Sequence, residues 1–266
     1  LTGSKSITNR LLILRSIYPL LKIKNKSESQ DTVVLENALK SKKNVKDVGH
    51  AGTAMRFLTA YYSILKQKEV ILKGSRRMHE RPIYPLVNCL KLIGADIIYL
   101  EKDGFPPIKI RGNQLKSKKV EISSGVSSQF ISAMLLISPK LIGGLALELK
   151  GELISKPYIE MTLHLLNNLG VKTNIKSNLI SVDYLEQIQE TNITVESDWS
   201  SASYWYSIVA LCERSEVKLN NFYKNSIQGD SILIKYFEAL GVETKFIENK
   251  IVLTKIKDFS YPKNLN

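Results

Sequence analysis

Leu92-Ile93-Gly94-Ala95-Asp96-Ile97 is a helix end followed by a strand start, and it returns twice. Asn168-Leu169-Gly170-Val171-Lys172-Thr173 and Ala239-Leu240-Gly241-Val242-Glu243-Thr244 have the same make-up, with glycines 76 and 71 residues apart. Gly after the last apolar turn supplies the left-handed residue that ends a helix, and the β-branched residues after it favour a strand. A second marker has almost the same period. Gly52-Thr53-Ala54-Met55-Arg56-Phe57-Leu58, Ser127-Ser128-Gln129-Phe130-Ile131 and Ser200-Ser201-Ala202-Ser203-Tyr204-Trp205 each open on small residues and run into an apolar helix, with starts 75 and 73 residues apart. Two unrelated markers on one period imply a chain built of βαβα-type units.

Each unit reads alike. Short strands such as Val70-Ile71-Leu72 and Val120-Glu121-Ile122 lead through polar turns into helices with apolar residues at helical spacing. The helix over 156–169 is expected to place Tyr158, Met161, Leu165 and Leu169 on one face. Pro82 and Pro157 fall near helix starts, where a missing N–H costs little. An incomplete first unit holds helices over 6–17 and 31–39, with Asp31 as the expected N-cap. The last unit starts near Val195 and reaches the strand-like Ile251-Val252-Leu253, so the repeat suggests a chain cut at its end, and the opening on Leu1 without Met suggests a missing start.

Composition narrows the class. The 266 residues are 44% hydrophobic and 24% charged, as in globular proteins, and no apolar run reaches 18 residues. The net charge is +13, yet only eight of the 38 basic residues are Arg and the lysines are scattered. A nucleic-acid surface would show a basic stripe with stacking aromatics, which leaves lysine-biased composition or an anionic ligand. Cys89 and Cys212, each in an apolar helical stretch, are expected to be buried free thiols, with neither a disulfide framework nor a zinc site.

The chemistry sits at the helix starts. Ser4-Lys5-Ser6-Ile7-Thr8-Asn9-Arg10 puts Ser6 at a helix N-terminus, flanked by Lys5 and followed one turn later by Arg10. Free N–H groups and the helix dipole favour phosphate or carboxylate there, and Arg adds paired donors. One such opening is an ordinary N-cap. The theme recurs at Gly52-Thr53 with Arg56, at Arg77 and Arg81, at Ser127-Ser128-Gln129 and at Ser155-Lys156-Pro157-Tyr158. Repetition would set these ends on one face, as a crevice for a ligand with several negative groups.

Gly3-Ser4-Lys5-Ser6-Ile7-Thr8-Asn9-Arg10, Ala51-Gly52-Thr53-Ala54-Met55-Arg56, Arg77-Met78-His79-Glu80-Arg81-Pro82, Ser127-Ser128-Gln129-Phe130 and Ser155-Lys156-Pro157-Tyr158-Ile159 closely resemble, in order, motifs of 5-enolpyruvylshikimate-3-phosphate (EPSP) synthases. Asp198-Trp199-Ser200-Ser201-Ala202-Ser203-Tyr204 and Gln228-Gly229-Asp230 extend the likeness, which covers essentially the whole chain. It implies an inside-out α/β fold of βαβαββ units in two lobes. Residues 3–196 would be the N-terminal lobe, its first unit shortened between Leu39 and Val48, and 197–266 the first unit of an incomplete second lobe.

The resemblance also implies an activity. A transferase of the shikimate pathway, serving chorismate and aromatic amino acid biosynthesis, would move the enolpyruvyl group of phosphoenolpyruvate to the 5-hydroxyl of shikimate 3-phosphate. Addition would precede elimination of phosphate, without metal or organic cofactor. By the family pattern Lys5 and Gln129 would be catalytic and touch both substrates. Ser6, Arg10, Ser127, Ser128, Ser155 and Tyr158 would bind shikimate 3-phosphate, and Gly52 and Arg81 phosphoenolpyruvate. Arg56 would brace its helix, and Arg77 is open between bracing and binding. His50 stands where the family commonly carries Asn and reads as a loop hydrogen-bonder; Phe57 stands where better-known members carry Pro. The general base and acid are expected beyond Asn266, so the 266 residues alone are expected not to turn over. A cytoplasmic monomer, without nucleic-acid or membrane partners, is expected. The rival readings are a UDP-N-acetylglucosamine enolpyruvyl transferase, whose reactive-Cys loop neither Cys89 nor Cys212 matches, and a non-catalytic anion-binding module.

Overall fold

Gly94, Gly170 and Gly241 end their helices at φ of +103°, +88° and +80°. At the first two, the chain closes with paired bonds: Ala95 N–H to Leu90 C=O with Gly94 N–H to Lys91 C=O, and Val171 N–H to Leu166 C=O with Gly170 N–H to Asn167 C=O. This is the Schellman closure, and it turns the chain straight into a strand. The computed structural model describes residues 1–116, 118–123, 125, 127–151 and 155–261. The last five residues of the expected unit 197–266 lie outside that range.

The chain opens with α1 (Lys5–Ile17), β1 (Leu21–Lys24) and α2 (Gln30–Lys40). One full unit follows: β2 (Val45–Asp47), α3 (Gly52–Ser63), β3 (Glu69–Lys73), the short α4 (Arg76–His79), α5 (Tyr84–Leu92), β4 (Asp96–Tyr99) and β5 (Ile108–Arg111). The next repeats it as β6 (Lys119–Ser123), α6 (Ser128–Ile137), β7 (Leu145–Lys150), α7 (Lys156–Asn168), β8 (Thr173–Lys176) and β9 (Leu179–Val182). Then come β10 (Thr191–Thr194), α8 (Trp199–Leu211), β11 (Glu216–Asn220), α9 (Leu233–Glu238), β12 (Val242–Ile247) and β13 (Lys250–Lys255).

The sheets repeat as well. Strand orders β2-β3-β5-β4 and β6-β7-β9-β8 are the same, each with one parallel pair bridged by a helix and two antiparallel pairs. The order β11-β13-β12 reproduces the antiparallel part of that pattern. β1 pairs in parallel with β10, Leu21 opposite Thr191, so the opening segment takes its neighbour from far along the chain. The α/β class with repeated βαβαββ units is thus borne out.

Helices lie inside and sheets outside. Every residue from Ile7 to Leu14 in α1 and from Phe130 to Ile137 in α6 is buried, as is nearly all of α3. A helix buried all round belongs in a core, and α1, α3 and α6 pack on one another. Strands β6 and β7 alternate buried with more exposed residues, one face on those helices and one outward. One apolar cluster runs from Ile7 to Val195 and another from Trp199 to Leu253. Between them the chain crosses itself: Ser4 N–H donates to Glu196 C=O at 2.9 Å and Asp198 N–H to Thr2 C=O at 3.1 Å.

Three local expectations need correction. Ser29, not Asp31, occupies the N-cap of α2; the helix starts one residue early, and Asp31 sits in its first turn, where a negative charge suits the dipole. Tyr158 does not join the buried face of α7; it is 41% exposed because it lies in the first turn, at the mouth of a cleft, while Met161, Leu165 and Leu169 are buried. Cys89 is buried, and burial pushes its thiol up to about 11, but Cys212 lies just past the end of α8 and is only half-buried.

Glu36 on α2 ties the opening segment together through Arg15 (3.1 Å), Lys26 (2.8 Å) and Lys40 (3.2 Å). Burial pushes its carboxyl up, but hydrogen bonds from Lys26, Arg15 and Lys40 outweigh that and hold it at about 2. A depressed carboxyl stabilises the fold above its unfolded value near 4.5, and that contribution is lost as pH falls towards about 2. Glu36→Gln is expected to cost roughly 1–2 kcal/mol at neutral pH and to flatten the acid limb of stability. Urea midpoints measured from pH 7 down to pH 2 check this; parallel curves for the two proteins would contradict it.

Candidate functional site

The starts of α1, α3, α6 and α8 converge. Lys5, Ser6, Thr53, Ser128, Gln129 and Ser201 all line one open cleft of about 690 Å³. Gln129 Nε2 donates to Thr53 Oγ1 at 3.1 Å and so joins the start of α6 to that of α3. Ser127 Oγ accepts from Gln129 N–H at 3.3 Å, capping its own helix. Asp198 does the same for α8: Oδ1 accepts from Ser201 N–H at 2.8 Å, while Oδ2 takes the backbone N–H of Lys5 at 3.4 Å. Unpaired N–H groups and four helix dipoles therefore face a shared space suited to an anion.

Arg10 forms the floor of this cleft and is 3% exposed. Its Nε–H donates to Thr162 Oγ1 (2.8 Å), Nη1 to Ser6 C=O (2.8 Å), and Nη2 to Ser132 Oγ (2.9 Å) and Tyr158 C=O (3.3 Å). Phe57 and Tyr158 present rings 5.5 and 5.8 Å from the guanidinium carbon. Burial lowers Arg10 to about 10, partly offset by the Tyr158 phenol, so it is cationic at neutral pH. Four of five N–H donors are engaged, which leaves one on Nη1 for a ligand. Phe57 thus has a visible consequence: its ring packs against this cation.

A second cavity of about 440 Å³ is lined by His50, Arg77, Met78 and Arg81. The Arg81 guanidinium occupies the space a side chain at Gly52 would need: a Cβ there would lie 2.5 Å from Nη1 and 3.0 Å from Cζ. Beneath it, Arg56 is buried and donates to Gly52 C=O (3.1 Å) and Pro82 C=O (3.4 Å), with Phe130 stacked at 5.6 Å. These contacts make Arg56 a brace. Burial, and the neighbouring charge of Arg81, lower it to about 10.

Lys5, Ser6, Arg10, Ser127, Ser128, Gln129 and Tyr158 thus share the larger cleft, while Arg81 lines the smaller one and Gly52 lies under its guanidinium without lining either. Ser155 precedes α7 and lines neither. Sequence reasoning missed Ser27, Glu28 and Ser29, which wall the large cleft; their signal is the Ser-rich start of α2. The cleft is also less purely cationic than expected, since Glu28 and Asp198 border it. Among the described residues no group of three His, Cys, Asp or Glu side chains could hold a metal ion.

The sequence profile described as EPSP synthase (3-phosphoshikimate 1-carboxyvinyltransferase) matches residues 4–260. The chain belongs to the EPSP synthase family. It is 43% identical over 257 residues to the 3-phosphoshikimate 1-carboxyvinyltransferase of Bacteroides fragilis strain ATCC 25285, covering 96% of this chain and 62% of that protein. The enzyme of the same name from Actinobacillus pleuropneumoniae serotype 5b is 38% identical over 274 residues, covering 91% and 63%. Among solved structures, EPSP synthase from Acinetobacter baumannii superposes with a TM-score of 0.75 at 22% identity, over 97% of this chain and 63% of that one, a likeness of fold. The chain thus spans a little over three-fifths of the EPSP synthases it matches.

Proposed function

We propose that this chain carries the shikimate 3-phosphate and phosphoenolpyruvate sites of an enolpyruvyl transferase, with residues 3–196 as one lobe and 197–266 as the first unit of another. The observation that carries the reading is the junction of the two cavities. Gln129 of the larger reaches Thr53, and Thr53 adjoins Gly52, over which Arg81 lies in the smaller. Two anions held there would meet at one edge. In the reaction, the 5-hydroxyl of shikimate 3-phosphate gives its proton to a base and its oxygen bonds to C2 of phosphoenolpyruvate, while the C2=C3 π bond breaks and C3 takes a proton from an acid. The C2–O bond to phosphate then breaks as C3 gives a proton back. Bringing two anions together in fixed geometry supplies much of the acceleration, and it needs cations and N–H groups set in advance.

In this reading Ser127 and Ser128 receive the 3-phosphate, with Ser155 outside the cleft, while Ser6, Arg10 through its free Nη1 donor, and Tyr158 face the shikimate ring. Gly52 and Arg81 hold phosphoenolpyruvate, and Lys5 and Gln129 lie between the two. Such a chain works in the cytoplasm as a monomer on small anions, with no metal or organic cofactor; no described helix is long and apolar enough to cross a membrane. Lys5 gives the cleanest test because its side chain is exposed and its loss leaves the core intact. Lys5→Met is expected to weaken shikimate 3-phosphate binding about 10- to 100-fold, as for loss of a charged hydrogen bond. Calorimetry with the 266-residue chain reads this, and equal affinities would refute the assignment.

A further inference from the structure

We infer that His50 is an anion-binding residue of the cavity that holds Arg81, donating through Nε2 to an oxyanion oxygen of the bound ligand. The inference rests on the reading of this cavity as the phosphoenolpyruvate site and adds a residue to it. His50 lines the cavity with Arg77 and Arg81, two residues before the start of α3. Its other nitrogen is fixed. Nδ1 lies 2.9 Å from Ser75 Oγ, and that oxygen accepts the N–H of Met78 at 3.3 Å as the cap of α4. Ser75 Oγ has a hydrogen to give and a second lone pair to accept with; in the tautomer in which it donates to Nδ1 the ring proton resides on Nε2, and we assign that tautomer. No described residue hydrogen-bonds to Nε2, which in this tautomer is a donor left for the ligand.

The loop holds this arrangement stiffly. Ser75 N–H donates to Gly49 C=O at 3.0 Å, and Gly49 N–H donates to Asp47 Oδ1 at 2.9 Å. The neighbouring histidine, His79, is spent on structure: Nε2 accepts from Gly74 N–H at 3.4 Å and Nδ1 lies 3.3 Å from Glu101. The two rings on the same pair of loops thus have different duties, one bracing and one with a donor to spare. Arg77 and Arg81 supply full charge, and the imidazole supplies a directional N–H that a third flexible cation would not.

Side-chain length separates binding from bracing. Asn matches the Nδ1 position and keeps the contact to Ser75, but lacks the distal nitrogen; Gln carries a donor where Nε2 lies. Titrations of the 266-residue chain with phosphoenolpyruvate, in the presence of shikimate 3-phosphate, use wild type, His50→Asn, His50→Gln and Arg81→Ala. His50→Asn is expected to weaken phosphoenolpyruvate about tenfold, as for loss of one hydrogen bond to a charged group. His50→Gln is expected to recover most of that, with shikimate 3-phosphate affinity and melting temperature unchanged in both. The ¹⁵N signal of Nε2 is expected to move when phosphoenolpyruvate is added to wild type. If Arg81→Ala weakens binding while His50→Asn equals wild type and Nε2 stays still, the inference fails and the reading of the site stands. If wild type does not bind, or Arg81→Ala has no effect, the reading fails and takes the inference with it.

Discussion

Glu196→Ala is expected to destabilise the protein by about 3–5 kcal/mol and to loosen the segment 197–261 before the rest unfolds. Glu196 is 4% exposed and lies between the two apolar clusters. Among the described residues it has no cation partner; hydrogen bonds satisfy it. Oε1 accepts from Trp199 Nε1 (2.9 Å) and Tyr223 N–H (3.1 Å), and Oε2 from Ser226 Oγ (2.6 Å) and Gln228 Nε2 (2.9 Å). Gln228 in turn accepts Trp199 N–H at 3.2 Å and donates to Ser197 C=O at 2.8 Å. The carboxylate thus pins the start of α8, and the loop after β11, to the chain crossing at residues 1–4 and 195–198.

Removing it leaves the Trp199 indole and the Tyr223 amide without acceptors, each at a cost of about 1–3 kcal/mol. Glu196→Gln keeps one acceptor oxygen but turns an NH₂ towards other donors, and is expected to recover no more than half. Urea unfolding gives the total, and hydrogen exchange resolves where protection is lost. A loss below about 1 kcal/mol, or protection falling first in α3 and α6, would contradict the role assigned to Glu196.

What the sequence disclosed and what it hid divide along a physical line. Gly94, Gly170 and Gly241 could be read because helix termination is local: the glycine, the turn before it and the strand after it lie within ten residues. The starts of α3, α6 and α8 were legible for the same reason, and Asp198 caps α8. The Arg10 knot was not legible. Its partners Ser132, Tyr158 and Thr162 lie 122 to 152 residues away, and nothing in the spacing says that α1 meets α6 and α7 there. The role of Glu196 was not legible either, because three of its four donors, from Tyr223, Ser226 and Gln228, come from beyond β11. His50 was read as a loop hydrogen-bonder, and its bond to Ser75 agrees; only the cavity beside it raises the question of its second nitrogen.

A large effect on binding is expected from a single methyl group. Gly52→Ala should cost little in stability, since Ala suits a helix better than Gly by about 1 kcal/mol and Gly52 is not at positive φ. The new Cβ, however, would sit 2.5 Å from Arg81 Nη1 and 3.0 Å from Cζ and Nη2. The backbone need not yield, because the obstructing atoms end a flexible side chain; Arg81 moves instead, by about 1 Å. Losing the charged hydrogen bonds of a displaced guanidinium costs roughly 10- to 100-fold in affinity. Phosphoenolpyruvate affinity in the presence of shikimate 3-phosphate is therefore expected to fall roughly one to two orders of magnitude, with shikimate 3-phosphate affinity within about twofold of wild type. A double-mutant cycle separates this account from general damage to α3. If Gly52 acts through Arg81, adding Gly52→Ala to an Arg81→Ala protein changes phosphoenolpyruvate affinity hardly at all, because the group it displaces is already gone. Additive losses would mean that the methyl group acts on the ligand or the helix directly, and the arrangement of Arg81 over Gly52 would lose its claimed purpose.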